Sequence, residues 1–275
     1  MSKKNMEELI LRAPAKLNLH LQVLNKRNDG YHDLSSLFTL INLFDTLTMR
    51  EKKGDIDLLE TSPIENNLVV SAAELLKDYS CTDKGATIEL KKSIPIQKGL
   101  GGGSSDAAAT LIGLNKLWKL NISKKELFNL AIQLGSDVPF FLFGETAWAK
   151  GRGEILETYP LPEKFFLLSF PKIGISTSKA FEEFKIDKRA ELSKDNFSTE
   201  KAFNSFEGWI RHAYPEINRI FENLSALGSP RLSGTGSTIF IECDSLEEAK
   251  VGKEKFPELV LVKSLDRSPL MQIIE

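Results

Sequence analysis

The stretch PIQKGLGGGSSDAAATL, residues 95–111, constrains this chain more than any other. Four glycines fall within positions 99–103, and the sequence then turns at once into an alanine-rich helical pattern. A loop with so few side chains exposes its backbone N–H groups, and the helix that follows adds the positive end of its dipole. Together these favour a bound anion, a phosphate above all. The loop fits neither familiar phosphate template. A Walker loop needs Gly-Lys-Ser/Thr, whereas Lys98 precedes the glycines, and a dinucleotide fingerprint needs glycine where Ser104 stands. The competing explanation is structural: a sharp turn where a helix packs closely on a sheet.

Composition narrows the field. With 275 residues, 41% hydrophobic and 27% charged, the chain is expected to form one large or two smaller globular domains. A net charge of −2 disfavours a nucleic-acid binder, which would need a basic face. Cys81 and Cys243 form no paired motif and read as buried free thiols, without a disulfide framework or a zinc site. The opening MSKKNMEELILRAPAK places acidic residues before a short apolar run, so it is not read as a signal peptide. No apolar stretch approaches the roughly 18 residues that a membrane span requires. The expected location is the cytoplasm, with no membrane partner.

Along the chain, APAKLNLHLQVL (13–24) alternates as a strand with Leu17, Leu19, Leu21 and Val23 on one face. Lys16, Asn18, His20 and Gln22 share the other, and a turn at Asp29-Gly30 follows. Residues 66–79 read as a helix and 86–94 as a strand entering the glycine loop. The next helix is expected to be capped by Ser104 or Ser105. A Ser-x-x-Glu capping box opens a further helix at 123–135, closed by Gly135. Strands are expected at 145–157 and within 160–171, with a domain boundary near 160. Residues 183–205 are polar and poorly periodic, which suggests a loop or a loosely packed helix. The rest reads as a helix at 215–227, a Gly-rich turn at 232–238, a strand, a helix at 245–255 and a last strand. Without regular βαβ alternation this is an α+β chain.

Three other places could carry chemistry. The polar face of the first strand, led by Lys16, could line a cleft, although taken alone a solvated face is the better explanation. Asp137, in LGSDVPFF, sits just before Pro139, where the plain alternative is a helix N-cap. The turn SGTGST offers a second anion-friendly backbone, or simply a hairpin. His20 and His32 have no carboxylate or cysteine partners at metal-binding spacing.

Taken together and in order, PAKLNLHLQVLNKRNDGYHDLSSLF, PIQKGLGGGSSDAAATL and RLSGTGSTIF resemble the three motifs of the GHMP kinases, small-molecule kinases related to galactokinase, homoserine kinase and mevalonate kinase. The resemblance spans nearly the whole chain. It implies a two-domain fold: an N-terminal domain (1–160) like the second domain of ribosomal protein S5, and a ferredoxin-like C-terminal domain (161–275). The active site would lie between them. The family pattern usually has glycines where this chain has Gln97 and Lys98, which puts the first part of the loop in question but not the cradle at Gly99–Gly103.

The resemblance assigns roles residue by residue. Pro95, Ile96, Gln97, Lys98, Gly99, Leu100, Gly101, Gly102, Gly103, Ser104 and Ser105 would wrap the phosphates of ATP, with Asn67, Leu68 and Lys92 toward the adenine. Asp137 would accept the proton of the acceptor hydroxyl, which Lys16 would hold. Mg2+ is implied, with a Ser104 or Ser105 hydroxyl or water completing its shell. Within the family, KLNL and RNDGYH resemble the members that phosphorylate the 2-hydroxyl of 4-diphosphocytidyl-2-C-methyl-D-erythritol. Tyr31 and His32 would then bind the cytidine, with Asn18 near the hydroxyls. Thr177 and Phe181 would form a second wall, and Gly234 and Gly236 the third motif's share. The chain is expected to act as a monomer or weak homodimer. Competing expectations are another GHMP kinase acting on homoserine or mevalonate, and a non-catalytic RNA-binding protein of S5-like fold.

Overall fold

The computed structural model describes residues 8–60, 64–186 and 189–274. In chain order the elements are β1 (Glu8–Lys26), β2 (His32–Lys53), β3 (Ile56–Glu60), α1 (Leu68–Ser80), β4 (Lys84–Lys91), α2 (Gly102–Leu117), α3 (Lys124–Leu134), α4 (Val138–Phe143), β5 (Ala147–Lys150) and β6 (Ile155–Thr158). They continue with β7 (Phe165–Ser169), α5 (Thr177–Glu183), α6 (Glu207–Ala213), α7 (Pro215–Leu224), β8 (Arg231–Leu232), β9 (Ile239–Cys243), α8 (Leu246–Lys255), β10 (Val260–Leu265) and α9 (Met271–Ile274).

Long β2 organises the sheet. Along its length it pairs antiparallel with β1, β4, β5 and β10. Strand β10 also pairs with β7, and β9 and β8 extend the sheet from there. The two halves proposed to meet near residue 160 therefore share one sheet. Beyond β10 the chain returns to the N-terminal half, where Leu270 and Met271 join the core of α1, α2, α3 and α4. A second core forms around Phe206, Phe221, Ile239 and Ile241. Each large apolar side chain fully buried in these cores contributes about 1.5–3 kcal/mol.

Several local expectations are revised. The polar face of β1 is not solvated: Lys16, Asn18, His20 and Gln22 are all at most 3% exposed. Its far end, at His20 and Gln22, is covered by residues 189–206, whose helical structure is a short 3-10 turn at Thr199–Lys201. Gln22 donates to the carbonyls of Arg189 and Ala190 and accepts from the Leu192 N–H. Leu21 exchanges backbone hydrogen bonds with Phe203 and Ser205. A buried polar face is tolerated because its groups find partners. Within the polar stretch 183–205, residues 187–188 lie outside the described ones, as do residues 1–7 of the N-terminal stretch.

The stretch 145–157 is a hairpin of β5 and β6, broken at Gly151 and Gly153, where φ is +67° and +119°. Helix α2 starts earlier than its serines suggest. Gly101 is its N-cap, in the left-handed region at φ +69°, so a glycine takes the place of the expected serine. The capping box of Ser123 and Glu126 forms as expected. Cys243 is buried, whereas Cys81 is exposed: it ends α1 in a left-handed cap.

Candidate active site

A cleft of about 1210 Å³ runs between the start of α2 and the N-terminal end of α5. Its floor is built from three backbone segments locked together. The Lys16 N–H donates to the Leu100 carbonyl at 3.0 Å. The Ser233 hydroxyl donates to the Gly99 carbonyl at 2.9 Å and accepts from the Asn18 N–H at 3.3 Å. Strand β1, the glycine loop and the third motif thus meet at one place.

Lys16 and Asp137 converge there. Asp137 is the N-cap residue of α4, but its side chain makes no capping hydrogen bond. Its carboxylate instead lies 3.5 Å from the Lys16 ammonium, with Lys16 buried at 4% and Asp137 open at 35%. Lys16 also donates to the Asn18 carbonyl oxygen at 2.5 Å, and Asn18 donates onward to Ser36, which donates to the His20 carbonyl. This chain fixes the lysine, while the ring of Phe38 lies 5.1 Å from its nitrogen. The result is a held cation beside a carboxylate with solvent access, suited to activating a hydroxyl.

The glycine loop lines the cleft from Pro95 through Ser104. Ser105 does not: it is fully buried, its N–H committed to the Gly101 carbonyl at 2.9 Å. Asn67 and Leu68 line the same end of the cleft, with Asn67 capping α1. Lys92 lines it too, but its ammonium is taken up by Asp45 at 2.5 Å and Asp106 at 2.6 Å. Burial works against this ammonium, yet the two carboxylates outweigh it and its pKa lies above the ordinary lysine value. Burial also pushes the Asp106 carboxyl up to about 7, with Lys92 opposing and Asp45 adding to the rise. Lys98 turns out of the loop and donates to the carbonyls of Pro171 and Ile173, at 2.5 and 2.7 Å.

At the other end, Tyr31 is half exposed and the guanidinium of Arg152 sits 4.3 Å from its ring centre. His32 stacks on Phe181, with ring centres 5.0 Å apart and planes 30° apart. Burial, then the nearby Lys26 charge, holds the His32 pKa below the ordinary value. Its neutral imidazole keeps one donor and one acceptor nitrogen for a ligand edge. Thr177 and Gly234 line the cleft, and Thr177 reaches Thr235 at 3.1 Å. Gly236 lies behind it, packed toward Ile175 and Leu232.

Sequence reasoning passed over several lining residues: Arg152, Ser136, Asp106 and Thr235. Thr235 and Asp106 sit inside quoted motifs and were within reach. Asn204 was not. Its amide donates to the carbonyls of Leu232 and Gly234, at 2.9 and 2.8 Å, and so holds the third motif from within a segment of no evident pattern.

Sequence comparison agrees with this geometry. Residues 67–145 match the GHMP kinases N terminal domain and residues 198–260 the GHMP kinases C terminal model. The chain belongs to the GHMP kinase family. Within that family it is 38% identical, over 98% of its length and 97% of the relative, to 4-diphosphocytidyl-2-C-methyl-D-erythritol kinase of Polynucleobacter necessarius. It is 41% identical to the enzyme of the same name from Polynucleobacter asymbioticus, over 89% of this chain and 87% of that one. A crystal structure of 4-(cytidine 5'-diphospho)-2C-methyl-D-erythritol kinase superposes with a TM-score of 0.81 at 32% identity, covering 93% of this chain and 99% of that one. Homoserine kinase from Cytophaga hutchinsonii shares the fold at 17% identity and a TM-score of 0.71, over 98% of both chains.

Proposed function

We propose that this chain transfers the γ-phosphoryl group of ATP to the 2-hydroxyl of 4-diphosphocytidyl-2-C-methyl-D-erythritol, a step in the non-mevalonate supply of isoprenoid precursors. The observation that carries the reading is the Lys16–Asp137 pair at 3.5 Å, within the cleft that the glycine loop and the aromatic residues share. Phosphoryl transfer is chiefly a matter of positioning and of neutralising charge. In this reading the backbone of Gly99–Gly103 and the N-terminus of α2 cradle the triphosphate. Lys16 holds the acceptor hydroxyl and Asp137 takes its proton. Tyr31, His32 and Phe181 receive the cytosine by stacking and by edge hydrogen bonds, as unpaired bases are commonly bound.

The fold family implies Mg2+, and the donors beneath the loop suit it. The Asp106 Oδ1 is buried without a partner, and Ser104 lines the cleft beside it. A hard cation takes one or two such oxygens together with phosphates and water. When bound it would neutralise charge on the transferring group; Ser104 and Asp106 would hold it. The Ser105 hydroxyl is buried without a partner, and Ser105 is not among the residues that line the cleft. Every residue of the proposed site comes from one chain, so a monomer or weak homodimer suffices. Among the described residues no helix is long and apolar enough to cross a membrane. The cytoplasm, where ATP is abundant, is the proposed compartment.

A kinase for homoserine or mevalonate would have no use for the aromatic end of the cleft. The test is ADP release with Mg2+ and a panel of alcohols. The cytidyl acceptor should outpace homoserine, mevalonate and the base-free sugar phosphate by orders of magnitude; equal rates would refute the assignment.

A further inference from the structure

Lys98 directly precedes the glycines of the proposed phosphate loop, and its side chain has a definite destination. The ammonium donates to the Pro171 carbonyl at 2.5 Å, the Ile173 carbonyl at 2.7 Å and the Ser237 hydroxyl at 3.1 Å. An ammonium has no further donors to give. Each of these acceptors is a neutral oxygen, and burial lowers the Lys98 pKa. The Ser237 hydroxyl donates to the same Ile173 carbonyl at 2.5 Å, and the Lys98 carbonyl accepts from the Thr238 N–H at 3.3 Å. One residue of the nucleotide loop therefore ties down both the third motif and the segment 171–173.

That segment leads directly into α5. Ser176 caps the helix, Thr177 opens it, and Phe181 on its third position from the end stacks against His32. The helix has seven residues and Ala180 is its only fully buried side chain. The Phe181 ring also meets Phe206 edge-on at 4.8 Å, so the helix is held at that ring and at its entry, and the anchoring of the entry helps to set where Phe181 stands.

We propose that Lys98 is a positioning residue for the acceptor. From within the nucleotide loop it anchors segment 171–173, and through it the α5 wall against which the acceptor's base packs. It leaves the nucleotide itself to the backbone. The inference rests on reading the Tyr31–His32–Phe181 end as the base site.

Lys98→Met keeps the length of the side chain and removes its donors; Lys98→Arg keeps charge and donors. A hydrogen bond from a charged group corresponds to about tenfold in binding. Lys98→Met should therefore raise KM for the cytidyl acceptor about tenfold while KM for ATP stays within twofold and kcat within a few-fold. Lys98→Arg should recover most of the loss. Ser237→Ala, a milder change that should fold normally, should move the acceptor KM the same way and less. Amide hydrogen exchange on Lys98→Met should quicken across 173–183 and not across 99–105, a readout independent of which acceptor is used. The proposal is overturned if the ATP KM rises as much as the acceptor KM, if activity falls only in step with melting temperature, or if exchange in 173–183 is unchanged. An unmodified enzyme inactive on the cytidyl acceptor would instead refute the function proposed above, and the exchange result would still decide whether Lys98 anchors α5.

Discussion

Gly103 offers the cleanest test of the loop as a phosphate site. It is exposed and is the second residue of α2. A Cβ placed there meets only Leu68, at 3.8 Å, an ordinary contact. Gly103→Val should therefore fold, with stability within about 0.5 kcal/mol of the parent, as for an open surface site. The new isopropyl group would stand beside Leu68 in the cleft, over the first turn whose N–H groups are proposed to meet the phosphates. Forcing a bound ligand past added methyl groups costs about 1–3 kcal/mol, the scale of overpacking, or about 5–150-fold in affinity. Gly101→Ala is the contrasting control. It places a side chain at φ +69°, with its Cβ 2.8 Å from the Phe141 ring and 3.1 Å from the Lys16 Cγ. That change should lower the melting temperature as well as activity. Calorimetric titration with ATP and thermal melts on both variants measure this. If Gly103→Val binds ATP as the parent does, the loop is a packing device and the phosphate reading is wrong.

Asp137→Asn should bind ATP and acceptor normally and lose roughly 10²–10⁴ in kcat, the span of general-base catalysis; a loss under tenfold would remove Asp137 from that role. Tyr31→Ala should weaken the cytidyl acceptor by about 1–3 kcal/mol, one base–aromatic stack, with ATP affinity and turnover of a base-free acceptor untouched. His20 is depressed to about 4, chiefly by burial, so the unfolded chain binds the extra proton first as pH falls. Its stabilising contribution is present above about 6.5 and is lost toward 4, roughly 3 kcal/mol in all, and His20→Gln should flatten that part of a pH–stability curve measured by denaturant unfolding.

How much of this was legible in the sequence depends on the range of the interaction. Helix α3 with its capping box, the helix within 66–79 and the glycine turn at Asp29-Gly30 are set by neighbours in sequence, and local pattern places them. Lys16 and Asp137 are singled out by motif and the fold brings them together, but nothing local tells whether Lys16 faces water. The glycine loop, Asp137 and Phe38 decide that for Lys16, and the loop 189–206 decides it for Gln22 at the other end of the strand, all at long sequence separation. The same blindness affects the loop. Sequence alone would choose Gly102 for a substitution test, yet a Cβ there meets Ile94 at 3.0 Å and the Lys92 ammonium at 3.3 Å. It would disturb a buried charge cluster that no spacing rule links to the glycines. Asn204 and Lys98 act across the fold on backbone carbonyls, which carry no sequence signal at all.

The way the cleft handles charge explains how a phosphate loop can do without a Walker lysine. Of the lysines that line the cleft, 16, 92 and 98 stand nearest the glycine loop or within it, and each of these three is already engaged. Lys92 lies between two carboxylates, Lys16 beside Asp137, and Lys98 among neutral carbonyls. A free lysine among the glycines would have to be desolvated afresh by every nucleotide. Backbone N–H groups at the start of α2 have no such charge to strip, and their direction is set before any ligand arrives. Helix α2 carries no acidic residue in its first turn to blunt its dipole. In the proposed function, recognition of the triphosphate would thus fall to fixed dipoles, leaving Lys16 for the reacting hydroxyl. Asn18 and Ser36 hold its ammonium in place, so that in this reading its charge would act where the new bond forms.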